Sequence, residues 1–238
     1  MKKILHPAAT RGTADYGWLQ AKYSFSFANF FDPNRVQFGK LRVLNDDIVA
    51  PSMGFGKHPH QNMEIVTIPQ KGALKHRDSM GNEGIIESGD IQIMSAGTGV
   101  EHSELNARTD EAVKLFQIWV FPEEDGVEPR YDQKKISDLL RPNELSTVVK
   151  PKSEAQNGDL WIHQQAWFNI GEFSEKTETT YTLNNRKHGA YVFVMDGSAT
   201  VDNETLNKRD AIGIWDTESV SITAEKDSRV LLIEVPMN

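Results

Sequence analysis

The sequence of 238 residues predicts an all-β protein made of two jelly-roll β-barrel domains in one chain. Short apolar runs recur at a spacing of roughly ten residues, which is typical of sandwiches and barrels. Gly, Asn and Asp separate these runs and favour turns between strands. Helical periodicity is scarce, and its best candidate is the short segment Ile136–Leu140. Among such folds, the jelly roll is the variety that encloses a ligand.

The apolar runs fall into two groups that repeat the same order, with a glycine turn at Gly72 in the first half and at Gly197 in the second. Residues 123–158 between them are rich in charge, proline and asparagine and are expected to form a connection. We therefore predict an N-terminal domain over residues 1–130, and a C-terminal domain with its linker over residues 131–238. The predicted strands are Leu41–Leu44, Glu64–Ile68, Asp90–Met94, Leu115–Val120, Ala190–Met195, Ala211–Trp215, Val220–Thr223 and Val230–Val235.

Composition excludes several classes of function. The net charge is −8 and the basic residues are scattered, so no direct binding to nucleic acid is expected. The chain has no cysteine, which rules out disulfides, thiolate metal sites and thiol catalysis. No apolar run has the length of a signal peptide or a membrane span. We expect a cytoplasmic protein without membrane contact and a monomer, because two barrels in one chain can cover their own edges.

Two short strings carry the chemistry: His58-Pro59-His60 and His102-Ser103-Glu104. Positions i and i+2 of a β-strand point to the same face, so each string presents two metal-competent side chains together. Glycines flank both strings, and they allow sharp turns and close backbone approach. The predicted metal ligands are His58, His60, His102 and Glu104.

Three imidazoles and one carboxylate suit one divalent transition metal rather than calcium or magnesium. Iron is our first expectation, and manganese, cobalt, nickel, copper or zinc also fit. Glu64 is an alternative ligand if the strand from His60 stays regular, and otherwise a neighbour of the ligands. His76 follows the Gly72 turn and is expected either beside the ligands or in a structural hydrogen bond. The other histidines lack a partner pattern and are expected to be structural; they are His6, His163 and His188.

Counting from the turns gives no histidine pair in the second half, so the first half is expected to hold the metal. Counting back from Gly72 and Gly197 pairs His58 with Leu183 and His60 with Asn185, and counting on from Asp90 and Asp210 pairs His102 with Ile222 and Glu104 with Ala224. An aromatic cluster near the N-terminus is expected to pack in the core and between domains, with a minority at the mouth of a pocket for a flat aromatic ligand. It comprises Trp18, Phe25, Phe27, Phe30 and Phe31.

The chain resembles the pirin family of bicupins, including the bacterial members described as quercetin 2,3-dioxygenases, over nearly its whole length. The resemblance rests on the motifs Gly54–His60, His76–Asn82, Met94–Gly99, His102–Glu104 and Asn45-Asp46-Asp47. By this resemblance the family's metal ligands fall on His58, His60, His102 and Glu104. The general cupin spacing around Glu64 is not kept, which favours Glu104 as the ligand.

The resemblance implies a metal-dependent dioxygenase that opens the central ring of a flavonol such as quercetin and releases carbon monoxide. Its substrates would be a small aromatic molecule and dioxygen. Glu104 would take the proton of the flavonol hydroxyl as a catalytic base. The alternative is a metal-binding regulatory or redox-sensing pirin that acts through protein partners. A cupin isomerase or carbohydrate-binding module fits the fold but not the motifs.

Overall fold

The computed structural model describes residues 1–238 and contains two β-barrels, each built from a seven-stranded and a four-stranded sheet. The strands in the first barrel's sheets are β2 (Gly12–Asp15), β3 (Leu19–Tyr23), β4 (Leu41–Val49), β5 (Gly54–His60), β6 (Glu64–Lys71), β7 (Ala73–Asp78), β8 (Glu83–Glu87), β9 (Asp90–Ser95), β10 (Val100–Asn106), β11 (Val113–Val120) and β12 (Arg130–Lys135). Those in the second are β1 (Lys2–His6), β13 (Ser146–Pro151), β14 (Trp161–Ile162), β15 (Trp167–Phe173), β16 (Thr177–Thr182), β17 (His188–Asp196), β18 (Ser198–Val201), β19 (Glu204–Asn207), β20 (Ala211–Trp215), β21 (Ser219–Ala224) and β22 (Ser228–Pro236).

The all-β prediction is confirmed, and every predicted strand lies within an observed one. The short helical candidate Ile136–Leu140 forms a single 3₁₀ turn, Ile136–Asp138. The other 3₁₀ turns are Ala8–Thr10 and Lys152–Glu154. No helix in the structure has both the length and the apolar character needed to cross a membrane.

The two barrels exchange strands at their edges. β1 pairs antiparallel with β20 in the second barrel, whereas β12 pairs antiparallel with β9 in the first. The predicted boundary between residues 130 and 131 therefore cuts through β12, and the predicted linker contains both β12 and β13. Each exchanged strand covers an edge that would otherwise leave backbone groups unpaired.

The largest apolar cluster lies between the barrels, where side chains of both seven-stranded sheets meet. It contains 26 buried residues, including Phe116 from the first barrel and Phe168 and Phe193 from the second. A second cluster of 15 buried residues fills the interior of the C-terminal barrel. The N-terminal barrel has no comparable apolar filling, since its clusters hold 8 and 4 buried residues.

The strand register corrects the alignment of the two halves. Asn106 pairs with Leu74 in the first barrel, and Ala224 pairs with Ala199 in the second. Leu74 and Ala199 each lie two residues after their glycine turn, so Asn106 and Ala224 are equivalent. Counting along the sequence was therefore wrong by two residues. The structural counterparts are Tyr181 for His58, Leu183 for His60, Val220 for His102 and Ile222 for Glu104.

Candidate metal centre

The three predicted histidine ligands come together between two neighbouring strands. β5 and β10 are antiparallel partners, and their register sets His58 directly opposite His102. His60 lies two residues further along β5, and ligand atoms of all three imidazoles are within 4.8 Å of one another. The Nε2 atoms of His58 and His102 are 3.0 Å apart. Two nitrogens about 2.1 Å from one ion at a right angle would be about 3.0 Å apart, so this pair fits a shared metal.

The backbone around His58 prepares this arrangement. The Nδ1 of His58 lies 2.8 Å from the Gly56 carbonyl oxygen, which can only accept, so Nδ1 donates and Nε2 keeps its lone pair for a metal. Gly54 starts β5 where the two strands approach closely. A Cβ at Gly54 would lie 2.2 Å from the Glu104 carbonyl oxygen, so no side chain fits there without a shift.

Burial favours the neutral form of two of the imidazoles. Together with the positive charge that the neighbouring His58 can carry, it lowers the pKa of His60 to about 4 and the pKa of His102 to about 3. A neutral imidazole is the form that binds a metal, because protonation occupies the lone pair. The cluster is therefore ready for a cation at neutral pH.

Glu104 lies beside His102 on the same buried face of β10. One ligand atom each from His76, His102 and Glu104 forms a second close group, with all three residues buried. Gln117 donates from Nε2 to Glu104 Oε2 at 2.9 Å, and the Thr67 hydroxyl lies 3.5 Å from Oε1. Burial raises the pKa of Glu104 to about 7, with these hydrogen bonds opposing the rise.

His76 is fully buried and lies next to the cluster. Its ring centroid is 5.4 Å from that of His102, and its Nε2 is 3.0 Å from Asp78 Oδ2. It therefore combines the two roles expected for it, a structural hydrogen bond and a place beside the ligands.

Glu64 faces away from the cluster, so its assignment as an alternative ligand or neighbour is wrong. It accepts a hydrogen bond from Ser95 Oγ at 2.7 Å, while Ile65 on the other face of β6 lines the cavity beside the histidines. The physical reason is the break at residues 61–63, which separates β5 from β6 and interrupts the two-residue alternation. The number of residues between His60 and Glu64 therefore does not indicate which face of the strand Glu64 occupies.

A cavity of about 200 Å³ opens beside the cluster inside the N-terminal barrel. Phe27 and Phe55 line it, and the Trp18 ring packs 5.3 Å from the Phe55 ring. Phe25 instead belongs to the core between the barrels, and Phe31 is 75% exposed. The N-terminal aromatic cluster is therefore divided between core, cavity and surface.

Several cavity residues were not found by sequence reasoning. Gln117, which holds Glu104, and the buried polar pair Asn45 and Asp47 all line the cavity. The available signal was the string Asn45-Asp46-Asp47, because two of its members occupy inward positions of a strand where apolar residues are usual. Gln117 gave no signal, since an isolated polar residue in an apolar strand is common.

Comparison with known proteins identifies the family of this chain. The family model described as Pirin matches residues 5–120, and the model described as Quercetinase C-terminal cupin domain matches residues 149–235. A protein of Escherichia coli K12 named quercetin 2,3-dioxygenase is 39% identical over 232 residues, covering 98% of each chain. This chain belongs to the pirin family.

Other pirin relatives agree. The Caulobacter vibrioides pirin-like protein is 39% identical over 223 residues and covers 94% of this chain and 95% of its own length. The crystal structure of the Escherichia coli bacterial pirin YhhW in complex with nickel(II) superposes with a TM-score of 0.92 at 37% identity, covering both chains completely. The bicupin fold is thus confirmed, and the relatives support a divalent metal centre and an oxygenase of the pirin type.

Proposed function

We propose that this pirin is a metal-dependent dioxygenase that cleaves the central ring of a flavonol such as quercetin and releases carbon monoxide. The observation that carries the proposal is the grouping of three imidazoles on one wall of a partly aromatic cavity, with the buried Glu104 in a second group that shares His102. Relatives named quercetin 2,3-dioxygenase at 39% identity support the same activity.

The residues present fit a transition metal. His58, His60 and His102 would hold it through their nitrogens, and Glu104 would add a carboxylate oxygen. A bound divalent cation would lower the pKa of a coordinated substrate hydroxyl and fix the resulting anion for reaction with dioxygen. Iron remains our first expectation, and the nickel(II) complex of YhhW makes nickel the first alternative.

Glu104 has the properties of a general base. Without a bound metal, burial raises its pKa to about 7, so this carboxylate holds a proton better than an exposed one does. A flavonol entering the cavity would give its 3-hydroxyl proton to a carboxylate oxygen of Glu104. Gln117 holds the opposite oxygen and so fixes the direction of the carboxylate.

The activity is tested by loading the purified protein separately with iron, manganese, cobalt, nickel and copper. Each form is incubated with quercetin while its visible absorption, oxygen uptake and carbon monoxide release are followed. We expect loss of absorption with matching oxygen consumption for at least one metal. No oxygen uptake with any metal would contradict the proposal and favour the regulatory role through protein partners.

Glu104→Gln tests the role of the base. The variant should keep much of its metal through the three histidines and lose flavonol turnover, because an amide cannot take the proton. Glu101→Gln is the matched control, since Glu101 is an exposed residue on the same strand, paired with Lys57. Retained turnover in Glu104→Gln would disprove the role of Glu104 as the base.

A further inference from the structure

A second wall of the cavity carries polar atoms that the metal centre does not use. Asn45 and Asp47 on β4 line the cavity together with the metal-ligating histidines and are only 3% and 4% exposed. Asn45 Oδ1 and Asp47 Oδ1 have no hydrogen-bond partner, and neither does the Nε1 of Trp119, another lining residue. Buried polar atoms are nearly always paired, so these atoms indicate a missing partner.

The second barrel shows that the fold does not require these open groups. Asn169 is the counterpart of Asn45, because Asn45 pairs with Gln117 and Asn169 pairs with the equivalent Leu232. The Asn169 side chain accepts a hydrogen bond from Thr147 and donates one to Tyr181. The counterpart of Asp47 is Gly171, which has no polar side chain. Only in the barrel with the metal centre do the polar side-chain atoms of this wall lack hydrogen-bond partners.

The partner that suits this wall is a hydroxylated aromatic ring. Two oxygens that accept hydrogen bonds and one indole N–H surround a cavity that is otherwise partly apolar, and phenolic hydroxyls both donate and accept. The cavity volume of about 200 Å³ is smaller than the 300–1,000 Å³ usual for drug-sized ligands, so it would enclose one ring of a flavonol rather than the whole molecule.

We propose that Asn45 and Asp47 bind the hydroxyl groups of the ring that enters the cavity and thereby select hydroxylated over unhydroxylated substrates. This inference rests on the proposed function, because it concerns the substrate of the same site. The side-chain oxygens of Asn45 and Asp47 would accept hydrogen bonds from adjacent hydroxyls of that ring.

The test measures binding without turnover. Nickel-loaded protein is titrated under nitrogen, by calorimetry, with two flavonol series. In one series the pendant ring carries two, one or no hydroxyls; in the other the fused ring is varied in the same way. We expect affinity to fall about tenfold with each hydroxyl removed in one of the two series. Equal affinities throughout both series would overturn the proposal.

Variants then assign the selectivity to the wall. Asp47→Leu and Asn45→Leu should each flatten the dependence on hydroxyls and leave affinity for the unhydroxylated flavonol within about threefold of the wild-type value. If the larger side chain of Asp47→Leu prevents folding, the same titration is made with Asp47→Ala instead. Asp47→Asn keeps an acceptor oxygen at this position and should preserve the dependence. Ile48→Val, on the other face of β4, is the control. An undiminished dependence in both Leu variants would overturn the proposal.

The result is separable from that of the oxygenase assay. If the hydroxyl dependence appears and disappears in the variants while no metal form consumes oxygen, the recognition wall stands and the dioxygenase proposal fails. If oxygen uptake occurs with equal affinity for all flavonols, the dioxygenase proposal stands and the recognition wall is wrong.

Discussion

The two barrels of this protein have the same strand order but differ in what fills them. At six inward positions where the first barrel has a polar side chain near the metal centre, the second has an apolar one. The pairs are His76 with Val201, His102 with Val220, Glu104 with Ile222, Thr67 with Val192, Gln92 with Ile212 and Gln117 with Leu232. All six apolar members belong to the filled interior of the second barrel.

This difference shows how one fold serves two purposes. Full burial of a Val, Ile or Leu side chain contributes about 1.5–3 kcal/mol, so the second barrel gains stability from the positions that the first uses for chemistry. The first barrel instead shares the core of 26 residues between the seven-stranded sheets and exchanges an edge strand with its neighbour. We infer that the second barrel acts as the scaffold on which a polar, partly hollow first barrel remains folded.

The largest effect should follow from giving the metal centre one residue of the second barrel. His102→Val introduces the residue found at the equivalent position, Val220. Metal content should fall below about a tenth of the wild-type value and turnover below about 1%, since even loss of an outer-shell partner typically reduces affinity or activity 10–100-fold. Elemental analysis and the flavonol assay measure both. Ser103→Ala, on the other face of β10, is the control.

The reverse exchange should damage the scaffold. Ile222→Glu places a carboxyl group in the apolar interior of the second barrel and should lower the free energy of unfolding by about 3 kcal/mol at pH 8. Burial would raise the pKa of this carboxyl group, so the loss should be smaller at pH 5. Urea unfolding at both pH values measures it. Ser221→Glu, exposed on the same strand, should change stability by less than about 0.5 kcal/mol; similar losses in both variants would contradict the comparison.

The contrast between the barrels also explains what the sequence could and could not predict. The motif containing His58 and His60 could be recognised from the sequence because the two residues lie two positions apart on one strand. The alternation of side chains along a strand does not depend on which strands pair with it. Glu64 was misjudged because a turn separates it from His60. The role of Gln117 was invisible, since its contact with Glu104 depends on the register of strands distant in sequence.

Long-range pairing accounts for the remaining errors. From Asp90 to His102 the first barrel has two residues more than the second has from Asp210 to Val220, so a simple count placed the counterparts of His102 and Glu104 two residues away. The exchange of β1 and β12 depends on which edge each strand covers, and composition does not report that. Fold class and the grouping of the three histidines thus follow from local pattern, whereas the exchange of edge strands and the contacts of supporting residues follow from register.

A smaller effect is expected at the amide that supports Glu104. Gln117→Leu introduces the residue equivalent to Leu232 and removes the 2.9 Å hydrogen bond to Oε2. The three histidines remain, so metal should still bind, but affinity or turnover should fall 10–100-fold. Titration with nickel and the flavonol assay measure the change. Gln20→Leu, an exposed amide on β3, is the control. Wild-type affinity and turnover in Gln117→Leu would mean that Glu104 needs no support.

The smallest effect should come from Thr67→Val, which introduces the residue equivalent to Val192. The Thr67 hydroxyl donates to Gln117 Oε1 at 3.0 Å and so fixes which end of the amide faces Glu104; its own distance to Glu104 is a long 3.5 Å. Because it acts only through Gln117, its loss should reduce turnover about two- to tenfold, the range of one net hydrogen bond. Thr67→Ser keeps the hydroxyl and should retain activity. When Thr67→Val is added to Gln117→Leu, the double variant should have the same turnover as Gln117→Leu alone. A further decrease in turnover would show that Thr67 acts on Glu104 directly.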